Sequence, residues 1–289
     1  MTKIDFERVD VLIKLALEED VREGDATSLS VIPADLKIKT RLVAREDCIV
    51  AGLPVAEKVF KAVDESISFK YVVSDGASAT KGTLLAEISG NAGNLLTAER
   101  TALNFLQRLT GVATASANYA KAVEGTETVI LDTRKTTPAW RNLEKYAVAL
   151  GGSSNHRMGL YDRIMIKDNH RELAGLDGDN GITRSVEKAR TMFPALEIEV
   201  EADTLDEVRE AADAGAEYIL LDNMTNEEMA EAVKINAGRS KLEASGGITL
   251  ERIPSIAAIG GIDFISVGAL THSVRAIDIS MEECGDYNG

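Results

Sequence analysis

The chain has 289 residues, of which 45% are hydrophobic and 27% are charged. Asp and Glu number 47 against 32 Lys and Arg, a formal net charge of -15, which argues against a protein that binds nucleic acid or an anionic membrane mainly through its charge. The longest mostly apolar run, residues 256–270, is interrupted by Asp263 and is shorter than the roughly 20 residues that cross a bilayer. The acidic N-terminus and the two distant cysteines, Cys48 and Cys284, predict a cytoplasmic protein without a signal peptide, a disulfide framework or a thiolate metal site.

The first part of the chain, residues 1–107, predicts an α+β domain. Periodic apolar residues indicate helix, strand, helix, strand and strand in that order, at residues 5–20, 37–46, 54–64, 66–73 and 82–89. Residues 97–123 contain no proline and predict a long helix that joins this domain to the next. The polar tail, residues 271–289, is expected to pack back on the first domain.

The second part, residues 108–270, repeats a short Val, Ile and Leu-rich run, a polar tip and an amphipathic stretch. The runs lie at 128–132, 163–168, 196–203, 216–223, 241–245 and 262–270. Capping-box pairs, Thr204 with Glu207 and Thr225 with Glu228, predict the starts of two intervening helices. The pattern predicts an α/β fold with a parallel sheet, arranged as an incomplete, TIM-like barrel. An open doubly wound sheet is the alternative, which the absence of a GxGxxG motif after the first strand disfavours.

Basic residues concentrate where the first strands of the barrel end. Residues 132–167 contain seven Lys and Arg against three Asp and Glu, a local net charge of +4 in an acidic chain. Fixed cations repel one another unless an anion binds among them, so Arg134, Lys135 and Lys167 predict a site for a small, multiply charged anion. Lys145 and Arg163 are interpreted as solvated helix charges.

Acidic and small residues follow the later strands. Glu199 and Glu201 are two apart on a strand and share a face, so together with Asp222 they could hold Mg²⁺, or one of them could pair with Lys or Arg. Residues 245–247 (Ser-Gly-Gly) and Gly268 are suited to binding a phosphate through backbone amides, although glycines also serve tight turns. The three histidines show no metal-binding spacing.

Several strings together resemble the decarboxylating quinolinate phosphoribosyltransferase family along essentially the whole chain. They are GDATS (24–28), AGLP (51–54), AERTALNFLQRLTGVAT (98–114), LDTRKTTP (131–138), NHRMGLYDRIMIKDNH (155–170), EIEVEADTLDEV (197–208), YILLDNM (218–224), EASGGI (243–248) and ISVGALTHS (265–273). The resemblance implies an N-terminal open-sandwich domain and an incomplete α/β barrel. It also implies transfer of phosphoribose from phosphoribosyl pyrophosphate to quinolinate with loss of CO₂, in NAD biosynthesis.

The resemblance assigns roles to particular residues. Those expected to surround quinolinate are Arg134, His156, Arg157 and Lys167, with Arg100 contributed by a neighbouring subunit. Those expected to serve ribose, pyrophosphate and Mg²⁺ are Lys135, Glu201 and Asp222, of which Glu201 and Asp222 would hold the metal. Those expected to take the 5-phosphate are Ser245, Gly246, Gly247, Gly268 and His272. A homodimer or higher homo-oligomer with shared active sites follows.

Two places depart from the family pattern. Ala139 and Trp140 stand where the family has glycine and leucine, and Ser153 stands in a triple-glycine segment. Trp140 is expected to pack under its loop rather than to stack on the pyridine ring. Two alternatives remain: a family paralogue that acts on another heterocyclic acid, and a ligand-binding relative without turnover. The intact Lys135, Glu201 and Asp222 argue against the second.

Overall fold

The computed structural model describes residues 3–176 and 178–284. The elements of the first part of the chain are α1 (Phe6–Asp20), α2 (Ala26–Val31), β1 (Lys37–Ala44), β2 (Cys48–Ile49), α3 (Leu53–Val63), β3 (Ser68–Tyr71), β4 (Ser78–Ala79), β5 (Leu84–Asn91) and α4 (Ala92–Lys121). The later elements are β6 (Val129–Leu131), α5 (Arg141–Leu150), β7 (Ile164–Ile166), α6 (Asp168–Leu173), α7 (Gly181–Met192), β8 (Ile198–Ala202), α8 (Leu205–Asp213), β9 (Tyr218–Asp222), α9 (Asn226–Asn236), β10 (Lys241–Ser245), α10 (Ile253–Ala257), β11 (Phe264–Ser266), α11 (Ala269–His272) and β12 (Ile279–Glu283).

The chain divides into two compact units. One contains the residues up to Ala117, residues 137–152 and the residues from Leu270 onward, and the other contains residues 118–136 and 153–269. The predicted boundary between residues 107 and 108 falls within α4. The predicted division into domains stays a prediction, and residues 285–289 of the predicted tail lie outside the described part of the chain.

The first unit is built on an antiparallel sheet with the strand order β12-β1-β5-β3. Strand β1 alternates between exposed residues, such as Lys39 and Arg41, and buried ones, such as Ile38 and Leu42. This period of two turns one face of the sheet toward the apolar core and leaves the other in solvent. Strand β12 supplies the outer partner of β1, with Thr40 opposite Glu283. The sequence prediction missed β12 as a strand.

The second unit is built on a six-stranded parallel sheet with the order β6-β11-β10-β9-β8-β7. Consecutive strands from β7 to β11 are neighbours, and β11 also pairs with β6, so the last strand meets the first. That order is expected of an α/β barrel, whereas a doubly wound sheet reverses direction at a switch point. Among the described residues no pairing joins β6 to β7, so the barrel is incomplete. The predicted α/β fold class is confirmed.

The predicted starts of two barrel helices are also confirmed. The Thr204 hydroxyl accepts the backbone N–H of Glu207 while the Glu207 carboxylate accepts that of Thr204, and Thr225 and Glu228 repeat the arrangement. Each box satisfies two amides that the first helical turn leaves without intrahelical partners. Both cysteines are free thiols. None of the described helices has the length and apolar character of a membrane span.

Candidate active site

Strand β8 places two carboxylates inside the barrel. Ile198, Val200 and Ala202 alternate along it with Glu199 and Glu201, and all five residues are buried. Because a strand directs successive side chains to opposite faces, the apolar residues pack against the surrounding helices. The two glutamates therefore point toward the barrel interior, where their charges need partners.

The strand register extends this inner face to β9 and β10. Glu201 lies opposite Leu220, Leu220 opposite Glu243, and Asp222 opposite Ser245. Residues on the same face of neighbouring strands line up in layers across a barrel. Glu243 therefore belongs to the inner layer with Glu201, and Asp222 lies with Ser245 at the carboxyl ends of the strands.

Asp132 links the two loops that carry the predicted arginines. Its buried carboxylate accepts the backbone N–H of His156 at 2.9 Å and the side-chain amide of Asn155 at 2.7 Å. These bonds fix the segment before Arg157 beside the strand that leads to Arg134. Asp132 is therefore an organising residue of this part of the barrel.

Arg134 and Arg157 form a pair of nearby cations. Burial lowers the pKa of Arg157, and the charge of Arg134 lowers it further. The Arg157 guanidinium donates to the carbonyl of Arg163 at 3.0 Å and contacts Sδ of Met165 at 3.6 Å. A partly buried guanidinium near a second positive charge favours binding of an anion, because the charge of the anion offsets the repulsion.

His156 is held through both ring nitrogens. Its Nδ1 accepts the backbone N–H of Arg157 at 2.7 Å, and its Nε2 lies 3.2 Å from Glu199 and 3.5 Å from Glu243. An accepting Nδ1 places the ring proton on Nε2, directed at the two carboxyl groups. Burial opposes a charged ring, but the hydrogen bond to Glu199 and the charges of Glu243 and Glu199 outweigh it and raise the pKa of His156.

Arg163 and Glu243 complete this buried cluster. The Arg163 guanidinium lies 3.6 Å from Glu199 and 3.9 Å from the centre of the Tyr218 ring. Glu199 and Glu243 are both fully buried. Burial, followed by the charge of Glu199, raises the pKa of Glu243 to about 7, which is expected when two carboxyl groups occupy one site of low dielectric.

Lys167 and Glu201 form an ion pair across β7 and β8. The ammonium of Lys167 is partly exposed, while the carboxylate of Glu201 is nearly buried. The sequence left open whether one of the two β8 glutamates pairs with a basic residue, and in the structure both do. Lys167, expected at the dicarboxylate, is thus held next to a residue expected at the ribose and metal.

Acidic residues gather near Asp222. Asp222 accepts the side-chain amide of Asn223 at 2.7 Å. Burial raises the pKa of Asp203, and the charges of Glu207, Asp222 and Asp168 raise it further. Like charges held this close repel one another, and a cation that binds among them relieves the repulsion.

The Ser-Gly-Gly segment has two glycines in the left-handed region, with φ of 87° at Gly246 and 57° at Gly247. A Cβ at Gly246 would overlap the side chain of Asn223, whereas a Cβ at Gly247 would meet open space. Glycine at position 246 is thus required by packing as well as by backbone conformation. Gly247 is exposed and leaves the backbone open to approach by a ligand.

Most of the predicted site residues lie in the second unit. They are Arg134, Lys135, His156, Arg157, Lys167, Glu201, Asp222, Ser245, Gly246, Gly247 and Gly268. Arg100, on α4, and His272, on α11, belong to the first unit, and both are exposed. Their roles stay predictions.

The structure also corrects two interpretations and adds residues that the sequence did not indicate. Both Lys145 and Arg163 were interpreted as solvated charges. In the structure Lys145 is fully buried and Arg163 is largely buried. The sequence alone did not single out Glu243 or Asp203. Glu243 lies within strand β10, and Asp203 directly follows strand β8. Arg163 directly precedes β7 and lies two residues before Met165, which is opposite Glu199. Strand alternation continued by one residue therefore puts Arg163 on the same side as Glu199.

Comparison with known proteins agrees with this arrangement. Residues 112–282 match the family described as quinolinate phosphoribosyl transferase, C-terminal domain, and residues 25–110 match its N-terminal domain. The chain is 42% identical over 265 residues to a probable nicotinate-nucleotide pyrophosphorylase (carboxylating) of Bacillus subtilis, covering 91% of this chain and 89% of that protein. It is 41% identical over 291 residues to the chloroplastic enzyme of that name from Arabidopsis thaliana, covering 94% and 81%.

Solved structures give the same result. The nicotinate-nucleotide pyrophosphorylase from Francisella tularensis superposes with a TM-score of 0.91 at 38% identity, covering 98% of each chain. A NadC structure from Streptococcus pyogenes gives a TM-score of 0.90 at 39% identity, covering 98% of each chain. Matches to both domain families, together with relatives this similar over nearly the full length, show that the chain belongs to the quinolinate phosphoribosyltransferase family.

Proposed function

We propose that this protein transfers phosphoribose from phosphoribosyl pyrophosphate to quinolinate with decarboxylation, giving nicotinate mononucleotide, pyrophosphate and CO₂ in NAD biosynthesis. The observation that carries the proposal is that Arg134, whose charge acts on Arg157, lies in the same unit as the ion pair of Lys167 with Glu201 and as Asp222 at the strand ends. Family membership and the names of the relatives support the same activity.

The dicarboxylate is bound by the cations of the first strands. Arg134 and Arg157 each offer a guanidinium fork that matches a carboxylate, and Lys167 adds a third positive charge. His156 orients the Arg157 backbone through its Nδ1. Arg100 of the partner subunit completes this pocket in a homodimer or higher homo-oligomer, whose assembly and cytoplasmic location stay predictions from the sequence.

The phosphoribosyl pyrophosphate is bound at the later strands. Ser245, Gly246, Gly247 and Gly268 offer backbone amides and a hydroxyl to its 5-phosphate, and His272 adds a contact. Lys135 is exposed in the segment that follows β6. Its ammonium serves the pyrophosphate, whose charge grows as it leaves.

The acidic residues fit Mg²⁺. Hard carboxylate oxygens are the protein ligands that this ion takes. Burial, followed by the charges of Glu207, Asp222 and Asp168, raises the pKa of Asp203, and this supports a cation near Asp222. Glu201 and Asp222 would hold the ion. When bound, Mg²⁺ neutralises the charge that develops on departing pyrophosphate.

The reaction follows from how these side chains place charge. With its carboxylates neutralised by Arg134 and Arg157, quinolinate presents its ring nitrogen to C1 of the ribose as pyrophosphate departs. Attack makes the ring nitrogen cationic. The C2–carboxylate bond then breaks, its electron pair stays on C2 beside that positive charge, and a proton from solvent gives nicotinate mononucleotide. Positioning and electrostatic stabilisation account for the catalysis.

A substrate comparison tests the proposal. The protein is incubated with phosphoribosyl pyrophosphate, Mg²⁺ and either quinolinate or nicotinate, and nicotinate mononucleotide and CO₂ are measured. We expect both products from quinolinate and no turnover of nicotinate. Turnover of a different heterocyclic acid would identify a paralogue of other specificity, and binding of quinolinate without turnover would identify a non-catalytic relative.

A further inference from the structure

We propose that Glu199 and Arg163 are positioning residues for quinolinate binding, which hold His156 and Arg157 from beneath the pocket. The proposal rests on the proposed function in one respect, namely that Arg157 binds a carboxylate of quinolinate. The sequence patterns assign Arg163 no role in binding. They indicate Glu199 as a metal ligand or as the partner of a basic residue, and not as a residue that orients the quinolinate pocket.

Two routes lead from Glu199 to Arg157. On the first, Glu199 faces Nε2 of His156 at 3.2 Å, and Nδ1 of the same ring accepts the backbone N–H of Arg157 at 2.7 Å. A carboxylate on one side of an imidazole fixes both the tautomer and the orientation of the ring. Glu199 thus determines which nitrogen is available to the Arg157 backbone.

On the second route, Glu199 holds Arg163. The Arg163 guanidinium lies 3.6 Å from both Glu199 and Glu197 and packs over the Tyr218 ring at 3.9 Å. Nη1 of Arg157 donates to the Arg163 carbonyl at 3.0 Å, so the ion-pair and ring contacts of the Arg163 side chain also bear on the position of the Arg157 guanidinium. The two routes therefore reach the same residue: the first fixes the backbone of Arg157, and the second fixes its guanidinium.

The burial of this cluster makes it able to fix geometry. Glu199 is fully buried and the side chain of Arg163 is 16% exposed, so water competes weakly for their contacts. His156, Glu199 and Glu243 each offer a ligand atom within 4.8 Å of the others, a spacing that a metal ion could also use. The guanidinium of Arg163 next to Glu199 disfavours a second cation there, and the ring proton on Nε2 occupies the same space.

The test compares KM values for the two substrates in variants of the full-length protein. Glu199→Gln keeps the shape of the side chain and removes its charge. We expect it to raise KM for quinolinate by about tenfold or more, the usual effect of losing a residue that orients a binding group. We expect KM for phosphoribosyl pyrophosphate to change less than about threefold, because the described ion pairs of Glu199 are with His156 and Arg163, neither of which is assigned to that substrate.

Arg163 provides a second variant and a graded rescue. Arg163→Gln should reproduce the selective rise in KM for quinolinate. Arg163→Lys should raise this KM less, because it keeps a positive charge at Glu199. The matched control is Glu217→Gln, which removes the partner of Arg190 at 2.8 Å on the same barrel and should change neither KM. Thermal unfolding of each variant establishes that it is folded.

The outcomes separate the inference from the proposed function. Folded Glu199→Gln with an unchanged KM for quinolinate, or with equal rises in both KM values, overturns the inference. If Glu199→Gln does not fold, an unchanged KM for quinolinate in Arg163→Gln overturns it instead. A stoichiometric metal ion in purified wild type that is lost in Glu199→Gln overturns it too. Arg157→Ala with an unchanged KM for quinolinate would instead remove Arg157 from the site, and wild type that forms no product would refute the proposed function.

Discussion

Arg134 and Arg157 each supply a positive charge for the proposed dicarboxylate pocket, and the charge of Arg134 acts on Arg157. Arg134→Ala or Arg157→Ala should lose about 2–5 kcal/mol in kcat/KM for quinolinate, the range found when one partner of a buried charge pair is truncated. Lysine should restore only part, because an ammonium lacks the planar fork. Steady-state kinetics with quinolinate measures the loss, and wild-type kinetics in either alanine variant would remove that residue from the pocket.

Ala139 adopts a backbone conformation that favours glycine, with φ of 65°, at the position where the family pattern has glycine. A Cβ in the left-handed region costs about 1 kcal/mol. Ala139→Gly should therefore raise the free energy of unfolding by about that amount, measured by urea titration. Ala115→Gly, within helix α4, is the control and should lower it by a similar amount. A lower free energy of unfolding in Ala139→Gly would contradict the hypothesis that the backbone is strained at Ala139.

Because its pKa is raised in the folded state, Glu243 should make the stability of the folded protein depend on pH. Its pKa rises from the ordinary 4.5 to about 7 on folding, chiefly through burial. Between pH 4.5 and pH 7 this carboxyl group is ionised in the unfolded chain but still protonated in the folded protein. The free energy of unfolding therefore falls as the pH rises through this range.

We therefore expect the free energy of unfolding to fall by about 2 kcal/mol between pH 5 and pH 8 through this group. Glu243→Gln should remove that fall, as measured by urea unfolding at both pH values. Glu217→Gln should keep it, because the pKa of Glu217 is lowered, despite the opposing effect of burial, by its bonds to Arg190 and the Ile198 amide. Equal pH dependence in wild type and Glu243→Gln would contradict the prediction.

The helices illustrate which elements a sequence specifies locally. The boxes at Thr204 and Thr225 were predictable because both partners lie within four residues of each other. Thr204→Ala should lower the free energy of unfolding by about 1 kcal/mol, measured by urea titration. Thr204→Ser keeps the hydroxyl and should retain most of the wild-type free energy of unfolding. If the free energy of unfolding falls equally in both variants, the cap contributes little.

The strands show where local reasoning ends. All six barrel runs were predictable, because buried parallel strands give continuous Val, Ile and Leu segments. Strand β12 was not, since its residues 279–283 become a strand only through pairing with β1, far away in the sequence. The cluster of His156, Arg163, Glu199 and Glu243 has the same origin: four separate segments supply one side chain each. Only the strand order brings them together.

Trp140 lies between these two cases. The sequence indicated packing rather than substrate contact, and in the structure its ring stacks on Phe105 at 4.6 Å and 9°. Packing could be inferred from its position after a loop, whereas its partner on α4 could not. Because it is the single tryptophan, its fluorescence reports the unit to which Trp140 and Phe105 both belong.

At the scale of the whole molecule, the proposed shared site predicts complementation between defective chains. Arg100→Ala and Lys135→Ala proteins should each have low activity. In a mixed dimer one pocket receives both defects and the other neither, so activity should rise above that of either parent. Activity measured after subunit exchange, with exchange verified by mass, provides the test. No gain in the mixture, or a nearly fully active Arg100→Ala protein, would refute a shared site.

The pairing of early strands with late ones also affects how this protein can fold during its synthesis on the ribosome. Strand β1 is synthesised long before β12, its partner on one edge, and β6 is synthesised long before its partner β11. The strand pairs of β1 with β12 and of β6 with β11 can form only after residues 264–283 have left the exit tunnel. Nascent chains therefore carry exposed strand edges for most of translation, which favours association with folding helpers over early, independent folding of either unit.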